Sequence, residues 1–77
     1  MAKISAYGET EYARWVEPRT GSTLVLTIRP DGRPSRLLYK IGQGRYFLLA
    51  AQLEGMDGVV GAVAYIERRF GPEHVRI

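Results

Sequence analysis

The 77-residue sequence contains no cysteine and only one histidine. Without cysteine there is no disulfide, no thiolate nucleophile and no cysteine zinc site. His74 has no second histidine with which to complete a metal site, so a surface or strand-end position is the better interpretation. We therefore expect no metal and no cofactor.

Long hydrophobic runs are also lacking. No stretch approaches about 18 uninterrupted apolar residues, and the first eleven residues lack the apolar core of a signal peptide. We expect no membrane segment, and the cytoplasm is the simplest location. An apolar content of 45% with 25% charged residues is ordinary for a globular protein and argues against disorder. Residues 1–77 should form a single small domain whose limited core would benefit from self-association.

Catalytic signatures are missing as well. The three serines lie outside the G-x-S-x-G and S-x-x-K contexts. The glycine-rich stretch GMDGVVG matches neither the dinucleotide fingerprint nor the phosphate-binding P-loop. Glu9 and Glu11 share a strand face, but a solvated face explains the pair and no enclosed pocket is implied. We predict that the protein is not an enzyme.

Positive charge is concentrated in the middle of the chain. Residues 1–18 carry two cations against three carboxylates, and residues 54–77 carry three against four. Residues 19–53 carry six cations against Asp31 alone, a net charge of +5. Arginine outnumbers lysine nine to two, which favours planar, bidentate contacts with phosphate or carboxylate. The codon usage of a GC-rich genome explains the arginine excess equally well.

Alternating polar and apolar residues predict several strands followed by a helix. The last of these strands is apolar on both faces, which favours a central position in the sheet. The predicted strands are Ile4–Tyr7 and Thr10–Glu17 (separated by Gly8), Thr23–Arg29, Ser35–Ile41 and Arg45–Ala51.

The stretch TIRPDGRPSRLLYK, residues 27–40, is typical of a hairpin, and its apolar pattern bears on the turn. A three-residue loop, Pro30–Gly32, would place Leu26 opposite Arg36 and mix the two faces. An even loop, either Asp31–Gly32 or Pro30–Arg33, places Leu26 opposite Leu37. We therefore predict an even loop. The face away from the core then carries basic residues around an apolar strip formed by Val25 and Leu38.

The helix has recognisable ends. Asp57 is a suitable N-cap, Gly71 falls at the C′ position and Pro72 follows where a helix cannot continue. The last four residues, HVRI, can add a short edge strand. The fold class is α+β: a curled four-stranded antiparallel sheet followed by one helix packed on one face, β-β-β-β-α-(β). The predicted buried stripe of the helix is Val59, Ala62, Val63, Ile66 and Phe70.

Aromatic rings beside arginines suggest a binding surface, because exposed rings stack on bases and cations contact phosphates. Tyrosine and arginine are also enriched at protein interfaces, so the same residues suit a protein partner. Trp15 and Phe70 are better explained as core, whereas Tyr12 and Tyr46 fit either role. The predicted nucleic-acid or partner-binding residues are Arg29, Arg33, Arg36, Lys40, Arg45 and Tyr46.

The opening MAKISAYGETEYARW resembles the start of short proteins encoded by actinobacterial phages and mobile elements. That resemblance implies an accessory protein that binds DNA or a host protein, and it carries over no site residue. The predicted order of elements is similar to that of nucleic-acid-binding modules of the positive-cofactor and PUR types, which is an analogy of fold alone.

Two functions of different classes follow. The first is nucleic-acid binding, to DNA or RNA, through the basic hairpin and adjacent rings. The alternative is an accessory protein that binds and modulates a host protein, which the Val25–Leu38 strip and the acidic flanks favour. The predicted strand Arg45–Ala51 is apolar on both faces, so the face that the helix does not cover must pack against something else. We predict a homodimer.

Overall fold

The computed structural model describes residues 9–42, 44–50, 53 and 58–77. The predicted strand Ile4–Tyr7 and the predicted N-cap Asp57 lie outside the described residues. The elements in chain order are β1 (Thr10–Val16), β2 (Ser22–Ile28), β3 (Pro34–Ile41), β4 (Phe47–Ala50), α1 (Gly58–Phe70), a 3-10 turn (Gly71–Glu73) and β5 (Val75–Arg76).

The five strands form one antiparallel sheet in the order β4-β3-β2-β1-β5. The predicted α+β class is confirmed, and the HVRI segment supplies β5 beside β1. The expectation that the fourth strand is central was wrong, because β4 lies at the edge of the sheet that the described strands form. Each strand of the meander pairs with its predecessor, so β4 ends at one side while β5 extends the other.

The core lies between α1 and the sheet. The helix stripe is as predicted: Ala62 and Ile66 are buried, and Val59, Val63 and Phe70 pack around them. Full burial of an aliphatic side chain as large as that of Ile66 stabilises the folded state by about 1.5–3 kcal/mol. The core residues are Ala13, Trp15, Leu24, Leu26, Leu37, Leu53, Ala62 and Ile66.

Trp15 is 1% exposed, and its polar atom is satisfied by the helix. The indole Nε1 donates a hydrogen bond to the Glu67 carboxylate at 3.1 Å. This partner allows the ring to be buried without leaving the N–H group unpaired. The helix is therefore held to β1 by both apolar and polar contacts.

No helix in the described ranges has both the length and the apolar character that a membrane crossing requires.

The β2–β3 turn differs from the even loop that the apolar pattern predicted. Arg29 N–H donates to the Arg33 carbonyl at 2.9 Å, and Gly32 N–H donates to the Arg29 carbonyl at 2.8 Å. These bonds enclose a three-residue loop, Pro30–Gly32. Gly32 has φ 88°, the left-handed conformation that such loops require at their last position.

The predicted register of the strand bodies is nevertheless correct, with Leu26 opposite Leu37. Ile28 lies opposite Pro34, so the pairing shifts by one residue between Leu26 and Ile28. The extra residue of the bulge compensates for the odd number of residues in the loop. Both strands therefore keep their apolar side chains facing α1. The even-loop prediction failed because it did not allow for a bulge.

Replacing Gly32 tests the turn. A Cβ at this position would meet nothing within 4 Å, so the effect of a substitution comes from backbone conformation. We expect Gly32→Ala to lower the free energy of unfolding by about 1–2 kcal/mol, because Ala is strained at positive φ. Gly32→Asn should cost less than half as much, since Asn tolerates this region. Urea denaturation of both variants measures the difference, and equal losses would contradict the turn geometry.

Candidate functional site

The sheet face opposite α1, here called the far face, carries two of the six predicted binding residues, Arg36 and Lys40. The alternation that places Leu37 and Tyr39 toward α1 places Arg36, Leu38 and Lys40 on the far face. The neighbouring β2 contributes Thr23, Val25 and Thr27 to it, and β1 contributes Glu11 and Arg14.

Arg36 is engaged by a buried carboxylate. Its Nε and Nη2 atoms donate to Glu9 Oε2 at 3.2 and 3.0 Å, and the Thr27 hydroxyl donates to Glu9 Oε1 at 2.8 Å. The Glu9 side chain is 8% exposed, whereas that of Arg36 is 30% exposed. Glu9 was expected on a solvated strand face and is instead buried. The guanidinium of Arg36 is thus neutralised by a partner 27 positions away.

The bulge explains why Thr27 takes part in this contact. At a bulge one backbone group loses its ladder partner. Here the Arg36 N–H donates to the Thr27 Oγ1 atom at 3.1 Å. The same hydroxyl donates onward to Glu9, so backbone and side-chain groups of the bulge are satisfied together.

The pKa of the Glu9 carboxyl reflects two opposed effects. Burial raises this pKa, because a charged group loses hydration. Hydrogen bonds from Thr27, Arg36 and Ser35, with the positive charge of Arg36, lower it and prevail. The pKa of Glu9 therefore lies below its usual value, and the group is ionised near neutral pH.

A second ion pair lies on the same face, and sequence reasoning missed its arginine. Arg14 Nη2 and Nε donate to the two Glu11 oxygens at 2.6 and 2.9 Å, a bidentate geometry. This contact lowers the pKa of Glu11 and raises that of Arg14. Regular alternation would place residues three apart on opposite faces of β1, and the register shift between Glu11 and Ala13 brings Glu11 and Arg14 to the same face, so the sequence pattern gave no signal for this pair.

Arg14 also interacts with the predicted binding residue Tyr46, which raises the pKa of the arginine further. Strands β1 and β4 are separated by β2 and β3, about 14 Å at the usual strand spacing. The two side chains can meet only by lying over the sheet, above Val25 and Leu38. Val25 is fully buried and Leu38 nearly so. The apolar strip is therefore covered in the monomer.

Two of the predicted residues, Lys40 and Tyr46, meet at the corner where β3 ends and β4 begins. Lys40 Nζ lies 4.7 Å from the centre of the Tyr46 ring, a cation–π contact. Arg45 is exposed beside it in sequence, and the Phe47 ring that follows is 65% exposed. Lys40, Arg45, Tyr46 and Phe47 are called the corner patch below. Phe47 was not predicted, because a strand apolar on both faces was expected to be central.

The other two predicted residues, Arg29 and Arg33, lie at the exposed hairpin tip. Arg33 Nε is 3.8 Å from an Asp31 carboxylate oxygen, and both side chains are mostly exposed. Arg33 and Lys40 are seven positions apart, about 23 Å along β3. The predicted set thus divides into the hairpin tip, the corner patch and the neutralised Arg36.

A hydroxyl–imidazole contact joins β2 to the segment that precedes β5. The Ser22 hydroxyl lies 3.4 Å from His74 Nε2, and His74 Nδ1 lies 3.1 Å from the Phe70 carbonyl. A nucleophile and its base can be arranged this way. Ser22 is buried, however, and its Oγ also accepts a hydrogen bond from Thr20 at 3.1 Å. We interpret the contact as a link that holds the chain entering β5 against β2.

Within the described part of the chain, no group of three or more His, Cys, Asp or Glu side chains could hold a metal ion. Comparison of the chain with family models, curated proteins and solved structures gave no match. Function is consequently inferred from the geometry of these residues.

The two ion pairs should differ in their contribution to stability. We expect Glu9→Gln to lower the free energy of unfolding by about 1–3 kcal/mol, because it removes the buried negative charge that Arg36 and Thr27 bind. Glu11→Gln is the matched control, and it should cost about 0.2–1 kcal/mol because its pair with Arg14 is more exposed. Chemical denaturation at pH 7 measures both, and a larger loss for Glu11→Gln would contradict the buried network.

Acid should weaken the fold through the same carboxylates. The folded-state pKa of Glu9 and of Glu11 is below the usual 4.5, so their stabilisation is complete above about pH 5 and is lost as pH falls through 4.5 and lower. We expect the free energy of unfolding to decrease over this range. The double variant Glu9→Gln, Glu11→Gln should show a shallower decrease. An identical pH profile for variant and native protein would rule out this role.

Proposed function

We propose that the protein is a non-catalytic binding module that holds single-stranded nucleic acid, DNA or RNA, at the corner patch. The observations that carry the proposal are the Lys40–Tyr46 contact and the exposed Arg45 and Phe47 that flank Tyr46 in sequence, with the Phe47 ring on the α1 side of the same sheet edge. Bases stack on exposed rings, and nearby cations contact the backbone phosphates. The corner patch supplies both kinds of group within a few residues.

The distribution of charge supports this location over the rest of the far face. Arg36 and Arg14 each have a carboxylate partner at hydrogen-bond distance, so neither offers a full positive charge to a phosphate. The exposed cations of the predicted set lie instead at the corner patch and at the hairpin tip. A strand bound at the corner patch could follow β3 toward Arg33, where the tip would provide weaker, purely electrostatic contacts.

The exposed ring also favours a single strand over a duplex. A base can stack on Phe47 only when it is not already stacked within a double helix. Lys40 already holds the Tyr46 ring, so Phe47 is the better stacking surface of the two. Sequence specificity is not implied, because every base has a face that can stack.

The alternative proposal is an accessory protein that binds and modulates a host protein, as phage and mobile-element proteins do. The observation in its favour is the exposure of Ile41, Phe47 and Leu48 close to Arg45. Aromatic and arginine side chains around an apolar centre are common at protein interfaces. The covered Val25–Leu38 strip no longer supports this alternative.

Charge-matched variants test the nucleic-acid proposal. Lys40→Ser, Arg45→Ser removes two positive charges at the corner patch, and Arg68→Ser, Arg69→Ser removes two from the exposed end of α1. With fluorescent homopolymer oligonucleotides of DNA and RNA, we expect the first variant to bind at least tenfold more weakly and the second to bind nearly as the native protein does. The slope of log K against log salt should fall by about 1–2 for the corner variant.

A separate substitution tests stacking. Phe47→Ala should weaken binding by about five- to 150-fold, the loss expected when one stacked base is released. Val60→Ala, on the exposed side of α1, removes a comparably exposed apolar side chain and should have no effect.

Equal weakening by the two charge variants would indicate non-specific attraction and reject the corner patch. No binding by the native protein at low salt would reject the function and favour a protein partner.

A further inference from the structure

The two edges of the sheet are built differently. The β5 edge is two residues long, includes Arg76 and follows a 3-10 turn. Short strands and charged side chains are common means by which proteins prevent an edge from pairing with another chain. The β4 edge, Phe47–Ala50, contains no charged residue and no proline. Within the described residues, β3 is the only strand that pairs with β4.

Apolar side chains are exposed on both faces of β4. Phe47 lies opposite Tyr39 on the face toward α1, yet the helix leaves its ring 65% exposed. Leu48 lies opposite Leu38 on the far face and is 55% exposed. Ile41, at the end of β3, is 60% exposed. An edge strand with these properties favours association through both its backbone and its side chains.

We infer that β4 pairs in antiparallel fashion with β4 of a second copy of the chain. The occupant is indicated by the charge at the two ends of the strand. Arg45 precedes β4 and Lys40 lies near it, whereas the strand itself ends on Ala50. Antiparallel pairing keeps the two positive ends apart, while parallel pairing would place Arg45 beside its copy. The apolar segment is thus complementary to itself about a two-fold axis.

This pairing has a defined geometry. An antiparallel pair of identical strands has its two-fold axis perpendicular to the sheet, so both α1 helices lie on one side and both far faces on the other. Leu48 of each copy would then pack against Leu48 of the other on the far face. A corner patch would lie on each side of the junction. The inference does not depend on the proposed function, since it concerns the edge and not the ligand.

Two edge variants test the dimer. Leu48→Lys places a charge on β4, and Val75→Lys places one on β5, where the native side chain is also 55% exposed. By sedimentation velocity, we expect the native protein and Val75→Lys to show twice the chain mass of 8.7 kDa. Leu48→Lys should sediment as a monomer with a dissociation constant raised at least tenfold. A monomeric native protein at high micromolar concentration would overturn the inference, as would equal weakening by both variants.

Cross-linking gives an answer even if Leu48→Lys fails to fold. The chain has no cysteine, so Leu48→Cys and Val75→Cys each introduce a single thiol. A disulfide forms only when the two Cα atoms approach within about 7 Å. Under mild oxidation at low protein concentration, we expect rapid disulfide dimerisation of Leu48→Cys and little for Val75→Cys. Equal or reversed yields would overturn the assignment of the interface to β4.

Discussion

The bulge between β2 and β3 is the constraint on which the rest of the sheet depends. The glycine turn encloses three residues, an odd number that by itself would turn the apolar side chains of one strand away from the helix. The bulge restores the alignment of Leu26 with Leu37 and therefore the common core face. It also leaves the Arg36 N–H to be satisfied by Thr27, which orients the Thr27 hydroxyl toward Glu9. Turn, core and buried ion pair are consequences of one local irregularity.

The far face shows how a basic segment can become electrically balanced. The middle of the chain has a large excess of positive charge in sequence, yet Glu9, just before β1, reaches across β2 and neutralises Arg36, while Glu11 neutralises Arg14 within β1. The pairing of β1 with β2 makes the Glu9–Arg36 contact possible, because it brings an acidic segment beside the basic hairpin. The exposed positive charge of the hairpin thereby lies at its two ends. Binding is consequently proposed at a corner of the sheet, where rings and cations are exposed together.

Much of the fold could be predicted from the sequence. Alternation on β2 and β3 specified which side chains face the helix, since a strand has only two faces. The 3.6-residue spacing of Val59, Ala62, Val63, Ile66 and Phe70 specified the buried stripe of α1, and Gly71-Pro72 marked its end. These features depend on neighbours close in the chain. The last four residues also had enough strand character for β5 to be anticipated.

Other features were decided by tertiary structure. The sequence by itself determined the six candidate residues, but their division between the hairpin tip, the corner patch and an ion pair depended on strand order. Arg36 is paired with Glu9, 27 positions away, and Phe47 enters the proposed site because β4 is an edge strand among the described strands. Sequence periodicity states which face a side chain takes. It does not state which strand lies next to it, because that choice depends on how all the strands pack together.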